Sequence, residues 1–392
     1  MGLRKTGVDW AHYGWNPLIG CSRQSAGCRN CYAETMAARV ANAGQAKLRR
    51  GGVLTATEAA YRDVVRWERG GMLPGGNADK ALPRWSGIVR LLPDRLGDPV
   101  ETRAGGRVFA DGLSDLFHPS VPYEAIAVIF GAMLAAPHHR FLVLTKHPDR
   151  AADWFSWIES QPLGPVTECS WAALSAERDR IGDGGPIHTR GAAVQSWPPS
   201  HVWLGTSVED QPTTARRVSH LLRCPLPVLW ISAEPLLGPV NLTHLDVDGY
   251  DGAGGMYQVN ALTGRNTDMG RPCESTRRLS WVVAGGESGH GARPMHPDWP
   301  RSLRDQCAAA RVPFFFKQWG EWAPAKPSDP DLPSRAGYVG PDGGSRLPPG
   351  DGSYSSPRRL EELGCAFMAR FGKSAAGRLL DSVLHDEYPE AP

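Results

Sequence analysis

Residues 228–235 read VLWISAEP. Four apolar side chains follow one another without polar alternation, and Ser232, Glu234 and Pro235 then end the run. A strand with one wet face would alternate. An unbroken apolar run fits a parallel strand covered on both faces. Similar runs recur at residues 108–110, 141–144, 202–204, 281–284 and 313–316, and a shorter strand is expected around 14–19.

Amphipathic stretches separate the runs. Residues 32–43 read as a helix stopping at Gly44. Residues 55–69 read as another, with Ala60, Val64 and Trp67 on one face. Residues 122–136 align Ile126, Ile129 and Met133, and residues 212–223 carry Val218, Leu221 and Leu222. Residues 298–311 place Trp299, Leu303 and Cys307 at i, i+4 and i+8. Strand and helix in alternation define a parallel α/β fold, and six or seven such units argue a barrel or partial barrel. Segments 160–200 and 244–278 are rich in Gly, Pro and polar residues and read as loop insertions. Residues 323–357 read as a Pro/Gly-rich linker. Residues 358–392 read as a C-terminal helical extension, with helices at 357–371 and 374–384 packing on the barrel.

The bulk numbers exclude several classes. The chain has 392 residues, 41% of them hydrophobic and 21% charged, with a formal net charge of +2. It can bury a large core, and its balanced charge does not by itself demand a nucleic-acid partner. The opening MGLRKTGVDWAHYG lacks the apolar centre of a signal peptide, and no window reaches the roughly 20 apolar residues of a membrane span. A cytoplasmic protein without a membrane partner is expected.

Each apolar run ends in a polar cluster. The clusters are Asp111 with Ser114, Asp115 and His118; Thr145-Lys146-His147; Thr206-Ser207 with Glu209 and Asp210; Ser232 with Glu234; Gly285-Gly286-Glu287-Ser288; and Lys317-Gln318 with Glu321. Catalytic residues of a parallel barrel sit at the C-terminal strand ends, so these clusters are expected to share one pocket. Lys317 follows three phenylalanines. A lysine beside so apolar a strand needs a partner, for which Glu234 and Glu287 are the candidates.

Three of the eight cysteines lie close together, in residues 15–34, WNPLIGCSRQSAGCRNCYAE. Cys21, Cys28 and Cys31 are spaced C-x6-C-x2-C. The others, Cys169, Cys224, Cys273, Cys307 and Cys365, are scattered singly, which is no disulfide framework. Three thiolates can hold a [4Fe–4S] cluster and leave one iron open. With His12 they can instead form a closed Cys3His zinc site. Spacing alone leaves both open. A non-catalytic module stacking bases on some of the 14 tryptophans is a further alternative.

The segments WNP-x2-GC-x6-C-x2-CYAE, SDLFH, LTK-x-P, WLGTSVE, SAEPLLGP, GGESG-x-GARPM-x-PDW and FFFKQWGEW together resemble a phage- and prophage-associated three-cysteine-motif family of unknown function. The resemblance covers essentially residues 10–322. That family is similar to the radical S-adenosylmethionine (SAM) superfamily, which implies a partial (β/α)6 TIM-like barrel over those residues. The resemblance implies that Cys21, Cys28 and Cys31 ligate three irons of a [4Fe–4S] cluster. It implies that SAM chelates the fourth, and that a flavodoxin or ferredoxin supplies the electron. By strand order Ser114 and Asp115 would hold the SAM amino group, with Thr145 and Lys146 on the same cofactor side. Ser207 and Glu209 would contact its ribose or carboxylate, and Gly285, Gly286 and Glu287 would line the pocket. Glu234 and Lys317 would face the substrate as catalytic residues. Arg293 would bind an anionic group or anchor its own loop. Phage association implies a nucleic-acid or nucleotide substrate in the host cytoplasm. Three departures from the superfamily pattern stand out. The first cysteine loop is longer than the usual C-x3-C-x2-C. Asn30, not an aromatic residue, precedes the last cysteine. Gly-Gly-Glu ends a late strand where an early one is usual.

Overall fold

The structure is a computed structural model describing residues 2–69, 81–181, 196–248, 256–268, 271–272, 277–346 and 357–390. It divides into two compact units, Met1–Leu204 and Gly205–Pro392. Eight strands carry the main sheet: β1 (Arg4–Lys5), β2 (Tyr13–Trp15), β3 (Arg107–Ala110), β4 (Arg140–Thr145), β5 (Val202–Ser207), β6 (Val228–Ala233), β7 (Trp281–Gly285) and β8 (Phe314–Gln318). Their order in the sheet is their order in the chain. No ladder closes β8 onto β1 among the described residues. The expected partial barrel therefore stands at its coarser level, a mixed α/β chain with a mostly parallel sheet.

In the first unit β1 pairs antiparallel with β2, at Arg4–Gly14 and Lys5–Tyr13. Strands β2, β3 and β4 then run parallel, with Val108 opposite both Tyr13 and Phe141. Helix α1 (Tyr32–Arg49) follows the cysteines and buries Ala33, Ala37, Ala38 and Ala41. It runs through Gly44, where the sequence predicted a stop. The Leu54 side chain lies against that glycine, so packing outweighs the modest helix cost of one glycine. Helix α2 (Ala56–Asp63) starts in a Thr55–Glu58 capping box and is shorter than expected. From Val65 to Arg69 the chain is a strand pairing with Ala81–Trp85. The β-branched pair Val64-Val65 favours that switch. It leaves Trp67, expected on the buried face of a helix, 46% exposed.

Helix α3 (Tyr123–Leu134) follows β3 as the periodicity predicts, and α4 (Pro148–Glu159) follows β4 where the sequence reading named no helix. Part of the segment read as insertion 160–200 is helix α5 (Pro165–Ile181). A Cβ on Gly131 of α3 would lie 2.0 Å from the Cys169 carbonyl oxygen of α5. Glycine thus permits this close helix–helix approach.

In the second unit β6, β7 and β8 are parallel, with Trp230 opposite Trp281 and Val282 opposite Phe314. The register slips between Ala284 and Gly285, at the start of the Gly-Gly-Glu segment. Every residue of β6 and β7 is buried, and a fully buried Val, Leu or Ile contributes about 1.5–3 kcal/mol. Helices α6 (Gln211–Leu221) and α7 (Asp298–Ala310) follow the predicted positions. The insertion at 244–278 carries its own antiparallel sheet of Leu245–Asp248, Met256–Asn260, Arg265–Asp268 and Arg271–Pro272. Cys273 lies outside the described residues.

The C-terminal reading needs two corrections. The segment expected to be a linker supplies strands Ala323–Pro324, Ala336–Val339 and Ser345–Arg346, which form a small sheet with Ala366–Ala369. The expected helical extension is helical only at Pro357–Glu362 and Lys373–Ala376. The rest is that strand and a hairpin, Leu379–Leu380 with Val383–Leu384. Gly364, Gly372 and Gly377 all have positive φ, which breaks helical continuity. The last residues then cap the open edge of β8. Phe316 N–H donates to the His385 carbonyl, and Phe314 N–H donates to the Glu387 carboxylate. Covering the edge removes a template for unwanted strand pairing.

Candidate functional site

In the first unit the cysteine loop begins where β2 ends. Gly20 pairs in an isolated parallel bridge with Ser114. Its φ is +96°, and a Cβ there would lie 2.1 Å from the Ile88 carbonyl oxygen, so only glycine fits. Ser114 Oγ donates to the Gly20 carbonyl at 2.7 Å. Ser114, assigned to SAM from the sequence, thereby fixes the residue before Cys21.

The long first loop is pinned from inside. Arg23 makes a forked ion pair with the buried Glu34 carboxylate at 2.7 and 3.0 Å, and also donates to the Arg29 carbonyl. Glu34 belongs to the first turn of α1 and also accepts the Trp85 N–H at 3.1 Å. This brace escaped the sequence reading. Glu34 three residues after Cys31, with an arginine upstream, was the available signal. A 3-10 turn at Ala26–Cys28 brings Cys28 round so that the Gln24 N–H points at its sulfur, 3.4 Å away.

Lys146, at the end of β4, meets the loop. Its Nζ lies 3.4 Å from Cys28 Sγ and 3.3 Å from Ser25 Oγ. Burial pushes the Cys28 thiol up, but the Lys146 charge and the N–H donors of Gln24 and Ser25 outweigh it, and its pKa is lowered. Burial pushes Cys21 well up, and the charges of Asp115, Cys31 and Cys28 add to it. Cys31 is also raised, mainly by burial, against N–H donation from Glu34 and Ala33. The thiolate is thus favoured at Cys28 and disfavoured at Cys21 and Cys31 relative to a free thiol.

Asp115 joins the ends of β3 and β4. One carboxylate oxygen accepts the Thr145 hydroxyl at 2.6 Å and the Phe117 N–H at 3.0 Å, and the other accepts the Lys146 N–H at 2.8 Å. Three of about four acceptor positions are thus used within the protein. His118 was quoted in a motif but given no role. Its Nδ1 accepts the Ser120 N–H, so its Nε2 carries the hydrogen and donates to Ser22 Oγ at 2.8 Å, next to Cys21. Burial lowers its pKa, which keeps the ring neutral.

His12 does not join the cysteines. Its Nδ1 accepts the Arg107 N–H at 3.1 Å, and its Nε2 lies 3.3 Å from the Arg107 guanidinium. The Cys3His arrangement is not assembled. Among the described residues no three His, Cys, Asp or Glu side chains sit at the spacing of a single metal ion. The donor set is three soft sulfurs on one loop, mutually coupled in charge, with N–H donors on Cys28 and Cys31 and an ammonium on Cys28. That chemistry fits an iron–sulfur group.

The second unit holds the remaining sequence-derived residues. Lys317 Nζ lies 2.7 Å from Glu234 Oε1, both largely buried, which gives Lys317 the first of its two expected partners. A Cβ on Gly285 would touch the Glu234 carboxyl group at 3.4 Å. A Cβ on Gly286 would sit 1.9 Å from the Trp319 carbonyl oxygen, so these glycines let β7 and β8 close on one another. Glu287 is held by Arg293 through a fork, with Nη2 to Oε1 at 2.6 Å and Nε to Oε2 at 2.8 Å, and it also accepts the Arg293 N–H. Of the two readings of Arg293, the structure places it in the loop anchor. Glu209 is fully buried and pairs with Arg217 at 3.0 Å, and the same guanidinium nitrogen donates to the Ser207 carbonyl at 2.7 Å. Arg217, unremarked in the sequence, thus engages both residues assigned to the ribose or carboxylate of SAM.

Fold and site together define a mixed α/β protein whose first unit carries a braced three-thiol loop beside a strand-end lysine and aspartate. Residues 5–389 match the family described as "Protein of unknown function (DUF5131)", and the chain belongs to that family. Neither a curated protein nor a solved structure matches it. No helix among the described residues is long and apolar enough to cross a membrane.

Proposed function

We propose that this chain is a radical SAM-type iron–sulfur enzyme of phage or prophage origin acting on a nucleic acid or nucleotide. The single observation that carries the reading is the Cys21–Cys28–Cys31 loop with Lys146 on Cys28. Cys21, Cys28 and Cys31 would hold a [4Fe–4S] cluster in a partial-barrel setting. With SAM bound and an electron from a flavodoxin or ferredoxin, that group supplies a 5′-deoxyadenosyl radical for hydrogen abstraction.

The chain's own residues have definite work in this reading. Lys146 offsets the thiolate charge at Cys28, and the Gln24 N–H adds a donor to the same sulfur. Arg23 and Glu34 keep the loop open to its ligand in one conformation. Asp115 has one acceptor position left for the amino group of SAM. Neutral His118 orients Ser22 beside Cys21. In the second unit the Lys317 Nζ–Glu234 Oε1 ion pair would face the substrate. The cytoplasm of the host is the compartment this chemistry requires, since exposed thiolates stay reduced there.

The test is anaerobic reconstitution with iron and sulfide, then SAM and dithionite, with 5′-deoxyadenosine as the readout. The wild type should turn brown and release the product, faster with added nucleic acid or nucleotide, while Cys28→Ala should do neither. A colourless protein holding stoichiometric zinc would overturn the reading.

A further inference from the structure

The first unit contains a cavity of about 340 Å³ outside the residues assigned to cluster or SAM. It is bounded by β1, the end of β2, the first turn of α1 and the turn after β3. Its volume is at the lower end of small-molecule sites, about 300–1,000 Å³.

Three cationic residues, Arg4, Lys5 and Arg95, line it, against one acidic residue, Asp98. Asp98 is paired with Arg95 at 3.1 Å. The wall is therefore net positive. Arg95 and Arg4 both lie close enough to the Tyr61 hydroxyl to oppose the upward shift that burial imposes on it.

Four rings, Trp15, Tyr32, Tyr61 and Phe109, line the same space. Tyr32 is fixed by its hydroxyl, which donates to the Gly112 carbonyl at 2.8 Å. Even so, it remains 56% exposed, and Met36 one turn along α1 is 43% exposed. Large apolar groups left open beside cations suit a ligand with a flat face and an anionic end. Aromatic rings stack on bases of any sequence, while arginine and lysine take phosphate oxygens.

We infer that this cavity binds a nucleoside monophosphate unit, its base against the rings and its phosphate at Arg4, Lys5 and Arg95. Tyr32 is the residue after Cys31, so an occupant would touch the helix that begins at the cysteine loop. The inference rests on the proposed function only for calling that nucleotide the substrate. Binding itself needs neither iron nor SAM, so the two readings fail separately.

The experiment is calorimetric titration of the purified full-length chain, as isolated, with AMP, a single-stranded DNA tetramer, adenosine, inorganic phosphate and SAM. AMP or the tetramer should bind, and adenosine and phosphate should each bind about tenfold or more weakly. Tighter binding of the tetramer assigns the site to a strand, and tighter binding of AMP to a free nucleotide. Two variants locate the site. Arg4→Glu with Lys5→Glu reverses charge on an exposed two-residue strand, and Met36→Trp fills the cavity from a half-exposed helix position. Both should keep the wild-type melting temperature and lose AMP affinity about tenfold or more. Unchanged AMP affinity in both variants would overturn the inference. So would phosphate binding as tightly as AMP, or binding of SAM alone.

Discussion

Replacing Asp111 by asparagine should make the protein's stability less sensitive to pH. Asp111 ends β3 with φ of +57° and is 2% exposed. One carboxyl oxygen accepts the Leu18 N–H at 3.0 Å, while the other is buried without a partner among the described residues. Burial is the main cause that pushes its pKa from 3.8 to about 8. The charge of Asp115 adds to this, and the Leu18 N–H opposes it. The sign follows from proton counting. Between those two values the folded chain keeps a proton that the unfolded chain has lost, so stability falls as pH rises through the window. Below the lower value both states are protonated and nothing is lost. Four pH units at about 1.4 kcal/mol each give an upper limit of about 6 kcal/mol at pH 8. Asparagine tolerates the left-handed backbone and keeps the acceptor for Leu18. Its amide introduces buried N–H groups, costing about 1–3 kcal/mol. The net expectation for Asp111→Asn is near-equal stability at about pH 4.5 and a gain of about 3 kcal/mol at about pH 8. Urea unfolding at several pH values reads this directly. Wild-type and variant stabilities that stay parallel across the range would refute the reasoning.

Further outcomes follow from the two units. Lys146→Met removes the charge beside Cys28, so alkylation of that thiol by iodoacetamide in the metal-free protein should slow about tenfold near neutral pH. Mass spectrometry of the labelled peptide checks this, and an unchanged rate would show that Lys146 does not set its reactivity. Arg293→Ala strands the buried Glu287 carboxylate and should cost about 2–3 kcal/mol, less than a fully buried pair because Arg293 is partly exposed. Denaturant midpoints test it. Gly286→Ala forces a methyl group onto the Trp319 carbonyl and should destabilise by about 1–3 kcal/mol or more, whereas Gly87→Ala, with nothing within 4 Å but φ of +87°, should cost about 1 kcal/mol from backbone strain alone. Equal melting temperatures for the two would refute the close-approach argument.

The parallel strands were legible because their burial leaves a one-dimensional trace. Val228–Ala233 is buried at every position, and the sequence there carries no alternation. The helices that follow these strands were legible for the same reason, through a 3.6-residue trace of apolar positions. What failed was structure whose determinant is tertiary. Gly44 looks like a stop, but Leu54 packs on it inside a continuing helix. Residues 323–357 look like a linker because the strands there are two to four residues long, too short to show a period. Their partner, Ala366–Ala369, lies within a stretch that reads as helix. The same stretch holds Leu360, Leu363 and Phe367 at helical spacing, yet positive φ at Gly364 splits it into a helix and a strand.

The site divides along a similar line. Residue types at strand ends were readable, because Asp, Glu and Lys after an apolar run are visible without coordinates. Their allegiances were not, because each depends on which opposite charge lies within about 3 Å. Glu287 and Glu209 looked like ligand-binding carboxylates, and their guanidinium partners Arg293 and Arg217 could not be read from the sequence. Glu234 has a different partner, since Lys317 is a point charge that engages a single oxygen at 2.7 Å. A lysine can surrender its proton, whereas an arginine holds its own at any pH the protein meets. Among the acidic strand ends of the second unit, the Glu234–Lys317 pair is therefore the one whose partner permits proton transfer. This physical ground separates it from the two carboxylates that the sequence alone ranked beside it.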